Sequence, residues 1–290
     1  MSSWYGDLDP LDQIAAPFAQ GMAGPVWLDE LADWLRRCGL EVCEHDGWER
    51  RGRQQNSPYA QTPTHIMWHH TASQTAPHND AAYIMWNADV APLANLLIDR
   101  AGLVHVLAAG PTNTNGAGRD SWGGGVPDDS MNAWALGIEL ANAGTGEPYP
   151  AVQIEALIEL TAHAVAFANI DVDHVRAHHE WSPGRKIDPA GPSPWATGSS
   201  SWNMAAARAT IAARALELRE TGEMTNPIIL WRHKSYANVF VIGSGALWVS
   251  PLVAERFRAQ GAEEVVEAND AMLDSVLSAN GLTRGDLTPM

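Results

Sequence analysis

The stretch THIMWHHTAS, residues 64–73, contains the first clear β-strand of the main domain. Its apolar, histidine-bearing run over residues 64–70 predicts a strand rather than a helix. Successive side chains of a strand point to opposite faces, so the odd-numbered residues, including His69, face one way and the even-numbered ones, including His70, face the other. Only one member of this histidine doublet can therefore point into a common site. Parity alone does not decide which.

Strand-like and helix-like segments alternate after this first strand. A helix is predicted over residues 80–86, and a hairpin over 93–99 and 103–107, joined by an Arg-Ala-Gly turn. Between this hairpin and the next strand, residues 112–129 are long, Gly-rich and unpatterned, as functional loops often are. The remaining predicted elements are a strand at 134–140, a long helix with Pro150 in its first turn, a strand at 175–178 and a last helix at 202–218.

The two ends of the chain predict additional pieces. An amphipathic helix is predicted over residues 26–35, and the polar segment 47–63 is predicted to be a loop leading into the main domain. We therefore expect an N-terminal helical lead-in at 1–56, a main domain at 57–222 and a small α+β module at 226–290. The predicted elements of that module are strands at 228–231, 237–242 and 246–249 and helices near 251–259 and 271–279.

Composition excludes several classes of protein. With 290 residues, 46% of them hydrophobic and 18% charged, the chain is large enough for a substantial core, and no apolar run is long enough to span a membrane. The formal net charge of −16 argues against a nucleic-acid partner, which requires a basic surface. The amino terminus shows no secretory signal pattern, so we expect synthesis in a cytoplasm without export by that route.

The chain has two cysteines, Cys38 and Cys43, which lie near His45. This spacing could indicate half of a metal site or a short disulfide. Because no second cysteine pair exists and a cytoplasm is reducing, we expect two reduced structural thiols.

The strongest chemical signal is the segment HHEWSPGRKID, residues 178–188, which brings imidazole, ammonium and carboxylate groups into one turn. Its Pro-Gly bend lets the two ends converge, and an extended chain would place Lys186 and Asp188 on one face. Two imidazoles and one carboxylate are a natural ligand set for a catalytic Zn²⁺, which keeps three protein ligands and leaves a fourth position for water. The sequence therefore predicts a zinc site, although a single histidine is more often a hydrogen-bonded core residue.

Four segments, in this order, resemble the type 2 N-acetylmuramoyl-L-alanine amidases, a family related to peptidoglycan-recognition proteins and to many phage lysins. The resemblance covers about residues 64–218 and implies an α/β domain with a mixed central β-sheet flanked by helices. The segments are HIMWHHTAS (65–73), LLIDRAG (96–102), ALGIELANAG (135–144) and HHEWSPGRKIDPAG (178–191).

The resemblance implies a zinc-ligand set. The histidine that opens the His-His-Thr motif is a zinc ligand in the family, which corresponds to His69, with His70 as a supporting neighbour. The second ligand, five residues before the Pro-Gly bend, corresponds to His178 rather than His179. The third corresponds to Asp188.

Two catalytic residues also follow from the resemblance, Glu139 in the Gly-Ile-Glu-Leu strand and Lys186. Glu139 would take a proton from the attacking water and deliver it to the departing amine, and Lys186 would help zinc to stabilise the oxyanion. Without the motifs, Glu139 would be interpreted as a strand-end acid paired with an arginine, and Lys186 and Arg185 as parts of a solvated turn.

The sequence departs from the family in two places. Some relatives have a tyrosine before the hairpin where this chain has Leu93-Ala94-Asn95, and others have a histidine near Asn115. We keep Asn95, Asn115, Trp122 and Arg185 as candidate substrate-binding residues. For Asn115 and Trp122 the alternative is that they are ordinary loop residues.

The resemblance implies zinc-dependent cleavage of the amide between N-acetylmuramic acid and L-alanine in peptidoglycan. The N-terminal region and the final module look like parts of proteins from phages of actinobacteria, which suggests an endolysin that waits in the host cytoplasm and then reaches the cell wall through a holin. Residues 226–290 would bind the wall or serve as a dimerising or stabilising appendage. The alternatives are a non-catalytic peptidoglycan-binding protein and a cytoplasmic amidase that recycles soluble muropeptides.

Overall fold

The computed structural model describes residues 25–74, 77–168 and 170–221, together with four strands at 229–233, 239–242, 246–249 and 263–267. The chain divides into two compact units, Met1–Glu220 and Thr221–Met290. No helix among the described residues is long and apolar enough to cross a membrane.

The first unit contains a six-stranded sheet in the order β1-β4-β3-β5-β2-β6. Only the pairing of β3 with β4 is antiparallel, and the other neighbouring strands are parallel. The predicted α/β fold with a mixed sheet is therefore confirmed. The strands are β1 (Val42–Glu44), β2 (His65–His70), β3 (Leu96–Ile98), β4 (Val104–Val106), β5 (Ala135–Leu140) and β6 (Val175–Ala177).

Helices cover this sheet and lie in the segments that connect its strands. Short 3-10 turns occur at Trp48–Arg50, Met131–Ala133 and Val172–His174. The helices are α1 (Leu31–Arg37), α2 (Arg53–Asn56, a single turn), α3 (Pro77–Trp86), α4 (Ala151–Phe167), α5 (His178–Trp181) and α6 (Met204–Thr221).

The central strand β2 shows why an apolar histidine-bearing run marks this fold. It lies between β5 and β6, parallel to both, and only His70 at its end is more than slightly exposed. Parallel strands that are covered on both faces consist of nearly continuous apolar residues. The two buried histidines of this strand, His65 and His69, therefore need polar partners inside the protein.

The two faces of the sheet have separate cores. One face packs in a large cluster with α1, α4 and α6, to which Trp34, Trp68, Leu157 and Ile211 contribute. The opposite face is covered in part by α3, around Leu97, and in part by residues from the 112–134 region and α5. The latter cluster consists of Met67, Val126, Met131, Ala135 and Trp181. Each large apolar side chain buried in this way contributes roughly 1.5–3 kcal/mol.

Most predicted elements of the first unit are present, with shifted ends. The strand predicted at 64–70 is β2, and the predicted hairpin is the antiparallel pair β3 and β4. The predicted N-terminal helix begins later, at Leu31, because Val26 forms an isolated bridge with Tyr59. The strand predicted to reach His178 ends at Ala177, since His178 begins α5.

One strand of the sheet was not predicted. Val42–Glu44, within the predicted N-terminal lead-in, forms the edge strand β1 and pairs with β4 in parallel. Three residues are too short a run to show strand periodicity, so only the pairing with a distant strand reveals it. The described part of the lead-in thus contributes to the same sheet as the main domain.

The second unit contains a four-stranded sheet in the order β10-β7-β8-β9. Its strands β7 (Ile229–His233), β8 (Val239–Ile242) and β9 (Ala246–Val249) lie near the predicted positions, whereas β10 (Glu263–Glu267), parallel to β7, was not predicted. The helices predicted near 251–259 and 271–279 lie outside the described residues.

Candidate metal centre and active-site cleft

A cleft of about 710 Å³ lies over the carboxyl ends of β2 and β5. Because β5, β2 and β6 are parallel neighbours, the residues at and just after their ends meet at one edge of the sheet. This arrangement places His69, Glu139 and His178 together, and Asp188 reaches the same point from the loop after α5.

The donor atoms of the three predicted metal ligands lie close to one another. Nδ1 of His69 lies 2.9 Å from Nδ1 of His178 and 3.2 Å from Oδ2 of Asp188. Nδ1 of His178 lies 3.0 Å from the same Asp188 oxygen. All three side chains are buried. The structure therefore brings together His69, His178 and Asp188, as the sequence predicts.

Asn115 determines which imidazole nitrogens face this cluster. Nε2 of His178 lies 2.8 Å from the backbone carbonyl oxygen of Asn115, and Nε2 of His69 lies 3.2 Å from its side-chain oxygen. A carbonyl oxygen only accepts hydrogen bonds, so Nε2 of each ring carries the proton and Nδ1 presents its lone pair in the neutral imidazole. Metal-binding histidines are commonly oriented by such a bond from the other ring nitrogen.

The donor set fits a cation. Burial, with a contribution from His178, lowers the pKa of His69 to about 4, so this ring is neutral at pH 7. Asp188 adds one carboxylate oxygen, Oδ2, at 3.2 Å and 3.0 Å from Nδ1 of His69 and of His178. Two lone pairs and one carboxylate oxygen converge, and a Zn²⁺ ion would balance them.

His70 points away from this cluster, as strand alternation requires. Its Nδ1 accepts a hydrogen bond from the backbone N–H of Ala190 at 3.1 Å and lies 3.3 Å from the Tyr149 hydroxyl. The Tyr149 hydroxyl in turn donates to the carbonyl oxygen of Ala190. His70 thus supports the chain segment that follows Asp188.

Glu139 lies beside the cluster in the cleft. It is the cross-strand neighbour of His69, and its Oε2 atom is buried without a hydrogen-bond partner among the described residues. Burial raises the pKa of Glu139 well above its ordinary value, and the charge of Asp188 raises it further, while Lys186 opposes the shift. Burial and Asp188 thus favour the protonated carboxyl group, and a cation bound at the adjacent cluster would favour the carboxylate that a general base requires.

Lys186 and Arg185 lie on the rim of the same cleft. The Arg185 guanidinium donates to the Ser182 hydroxyl at 2.6 Å and to the carbonyl oxygens of Asn115 and Ala117. Arg185 therefore holds the loop that carries Asn115. Lys186 is half-buried and contributes a positive charge near Glu139.

The structure places Asn95, a predicted substrate-binding residue, in the core and not in the cleft lining. Its side chain is 0% exposed. Its amide nitrogen donates to the carbonyl oxygens of Ala108 and Gly110, and its oxygen accepts from the backbone N–H of Gly137 and from the Tyr59 hydroxyl. These bonds tie β3 to β5 and to the segment after β4, so Asn95 has a structural role.

Trp122 is also placed outside the cleft lining. Its ring packs at 6.2 Å from the rings of His65 and Trp181, and the Arg176 guanidinium lies 4.6 Å from its centroid. The structure therefore packs Trp122 against neighbouring side chains outside the cleft lining, which favours the alternative of an ordinary loop residue over a substrate contact.

Two features of the cleft were missed by sequence reasoning. Asn115, a predicted substrate contact, is buried, and its side-chain and backbone oxygens contact Nε2 of His69 and of His178, respectively. Helix α3 supplies a cleft wall through Asp80, Tyr83 and Ile84, with Tyr83 61% exposed. The spacing of these three residues along a predicted helix could have indicated that they share one face, whereas no local sequence pattern indicates the role of Asn115.

We expect Asn115→Ala to weaken zinc binding by about 10-fold, because loss of a supporting partner typically costs 10–100-fold in metal affinity. We expect the lower end of this range of affinity loss because the variant keeps the backbone carbonyl of residue 115, which accepts from His178. Only His69 loses its hydrogen-bond partner. Competition with a chelator of known affinity would measure the change. Asn113→Ala, at an exposed hydrogen bond in the same loop, is the matched control. Equal zinc affinity in the two variants would contradict the orienting role.

The segment that contains this cluster is similar to a known protein family. The family model Amidase_2, described as N-acetylmuramoyl-L-alanine amidase, matches residues 59–191, from the segment before β2 to the loop after Asp188. The resemblance to type 2 amidases predicted from the four motifs is confirmed for this segment. All three cluster residues and Glu139 lie within it.

One curated relative and several solved structures are also similar. The N-acetylmuramoyl-L-alanine amidase AmiD of Escherichia coli strain K12 is 34% identical over 87 residues, which are 27% of this chain and 30% of AmiD. The chain thus aligns with about 30% of the length of that relative.

The solved structures share less sequence. An AmpD derivative is 20% identical with a TM-score of 0.39, covering 59% of this chain and 93% of that one. Drosophila PGRP-LB is 14% identical with a TM-score of 0.36, covering 50% and 86%.

Proposed function

We propose that the Met1–Glu220 unit is a zinc-dependent amidase that hydrolyses the amide between N-acetylmuramic acid and L-alanine in peptidoglycan. The observation that carries this proposal is the convergence of His69 Nδ1, His178 Nδ1 and one Asp188 oxygen, with both distal ring nitrogens bound to Asn115. The match of residues 59–191 to the amidase family supports it.

Zinc held by these three residues would supply a Lewis acid that polarises the scissile carbonyl and lowers the pKa of water. Glu139 is the proposed general base, since its unpartnered oxygen lies in the cleft beside the cluster. It takes the proton of the attacking water and then delivers it to the amine nitrogen of L-alanine as the C–N bond breaks. Lys186 stabilises the negative charge that develops on the carbonyl oxygen.

The cleft walls suit a glycopeptide. One wall carries the exposed phenol ring of Tyr83, which offers an apolar surface with a polar tip, and the rim carries the cations of Arg185 and Lys186. The stem peptide of peptidoglycan contains carboxylates, so we propose that these cations contact it.

We further propose that the protein acts on the assembled wall as a phage endolysin, with residues 226–290 as its wall-binding module. The small separate unit, Thr221–Met290, supports this proposal, since a second module can hold an enzyme on a polymeric substrate. Activity on intact sacculi that exceeds activity on soluble anhydromuropeptides would support the endolysin role. The opposite preference would favour a recycling amidase.

Chelation tests the proposed reaction. Full-length protein is incubated with purified actinobacterial peptidoglycan, and newly formed N-terminal L-alanine is measured. We expect release that is lost with a chelator and regained when Zn²⁺ is restored. Folded, zinc-loaded protein that binds the wall but releases no alanine would overturn the proposal in favour of a binding protein.

A further inference from the structure

A second group of metal-binding side chains lies at the edge of the same sheet. Cys43 of β1 and His105 of β4 are direct cross-strand partners. Residues opposite one another in a sheet point to the same face, and residues two apart along a strand do so as well. His45, two residues after Cys43, therefore joins them on that face.

This group is separate from the cleft. The register places Cys43, His105, Leu97, Glu139 and His69 in one row across the sheet. Three strand spacings separate β4 from β2, which is about 14 Å at the usual spacing. The two groups thus share a face of the sheet, and the apolar side chain of Leu97 lies between them.

The donor atoms are close enough to share one ion. Nε2 of His45 lies 3.0 Å from Nδ1 of His105, and Sγ of Cys43 lies 4.0 Å from the same His45 nitrogen. All three donor atoms lie within 4.8 Å of one another. Ligand atoms around a tetrahedral zinc ion are about 3.3–3.7 Å apart, given bonds of about 2.0–2.3 Å. Small side-chain movements would therefore complete the coordination.

The hydrogen bonding of His105 favours metal binding. Its Nε2 lies 3.4 Å from Oδ2 of Asp99, so Nε2–H donates to the carboxylate and Nδ1 turns its lone pair toward His45. Asp99 is itself held in the hairpin turn, because its Oδ1 accepts the backbone N–H groups of Ala101 and Leu103. A carboxylate behind a histidine is a frequent support of metal ligands.

The surrounding charges are mixed. The positive charge of Arg51 and the negative charge of Asp46 both act on His45. A thiolate at Cys43 would supply the negative charge that offsets the nearby Arg51 cation, and binding would release the thiol proton to solvent.

We propose that Cys43, His45 and His105 form a second transition-metal site, which binds Zn²⁺ through one thiolate and two imidazoles. Thiolate and imidazole are the ligand types that zinc prefers. The ion would link the three-residue edge strand β1 and the chain just after it to β4. This inference does not depend on the proposed amidase activity.

Cobalt binding tests the proposal, because Co²⁺ replaces zinc and a thiolate ligand adds a sulfur-to-cobalt charge-transfer band in the near ultraviolet. The cluster of His69, His178 and Asp188 contains no sulfur, and the chain has only two cysteines. Full-length reduced protein is titrated with Co²⁺, and zinc stoichiometry is measured separately by dialysis and elemental analysis.

The expected result has four parts. The wild type binds two equivalents of zinc and shows the thiolate band. His178→Ala loses the cleft ion but keeps one equivalent and the band. Cys43→Ser loses the band and one equivalent. Cys38→Ser, the matched control at a buried thiol outside the cluster, keeps both.

If the wild type shows no thiolate band, the proposal is wrong, and the contact between His45 and His105 is a simple hydrogen bond. A band that persists in Cys43→Ser would also overturn it. His45→Gln provides a second test that leaves the thiol in place, and it is expected to lose the band in protein whose circular dichroism is unchanged. Alanine release by Cys43→Ser should match the wild type, so failure of this site and failure of the amidase proposal are distinguishable.

Discussion

Replacing Glu139 by Gln is expected to lower kcat for cleavage of the muramoyl–alanine bond by about 10²–10⁴-fold, the usual contribution of a general acid or base. The amide has nearly the same shape as the carboxyl group but cannot take the proton of the attacking water. Zinc content should stay at the wild-type value, because the three proposed ligands do not include Glu139. Stability should not fall, since Glu139 Oε2 has no hydrogen-bond partner among the described residues.

The matched control for this variant is Glu155→Gln, at an exposed position on α4. The same change of charge there should leave kcat and zinc content unaltered. The measurement is the rate of alanine release from purified wall at saturating substrate, with metal analysis of each sample. A Glu139→Gln protein with a wild-type rate would remove Glu139 from the mechanism.

Replacing Asp188 by Asn is expected to abolish zinc binding in the cleft and with it nearly all turnover. Asp188 contributes the only negative charge among the three proposed ligands, and both ligand histidines lie within 3.2 Å of its Oδ2. We expect zinc affinity to fall by more than about 100-fold, beyond the 10–100-fold typical of a supporting partner. The variant should retain the fold and its affinity for the wall, which would make it a binding protein.

Asp89→Asn, an exposed acid after α3, is the control for Asp188→Asn. Zinc affinity is measured by competition with a chromophoric chelator, and wall binding by sedimentation with sacculi. If Asp188→Asn kept zinc in the cleft with near wild-type affinity, the ligand set would be wrong. Any ion at the Cys43 group is identified separately by its cobalt band, so the two sites are not confused.

The strand elements were predictable where the apolar pattern is strong. The strand predicted at 64–70 corresponds to β2, and the predicted hairpin corresponds to β3 and β4. Both were recognisable because central strands consist of continuous apolar residues bounded by turns. β1 and β10 were missed. β1 has three residues, and its existence depends on the pairing of Val42 with Val104, far along the chain.

The sequence by itself determined which types of side chain meet in the cleft, since the histidine doublets, the Pro-Gly bend and the acid at Asp188 are local patterns with a recognisable chemistry. Only the tertiary structure decided that Asn95 belongs to the core and that Asn115 contacts the rings of both His69 and His178. It also decided that His45 meets His105, 60 residues away. The physical reason is that spacing along the chain specifies which side chains share a face, whereas strand order and loop path specify which faces meet.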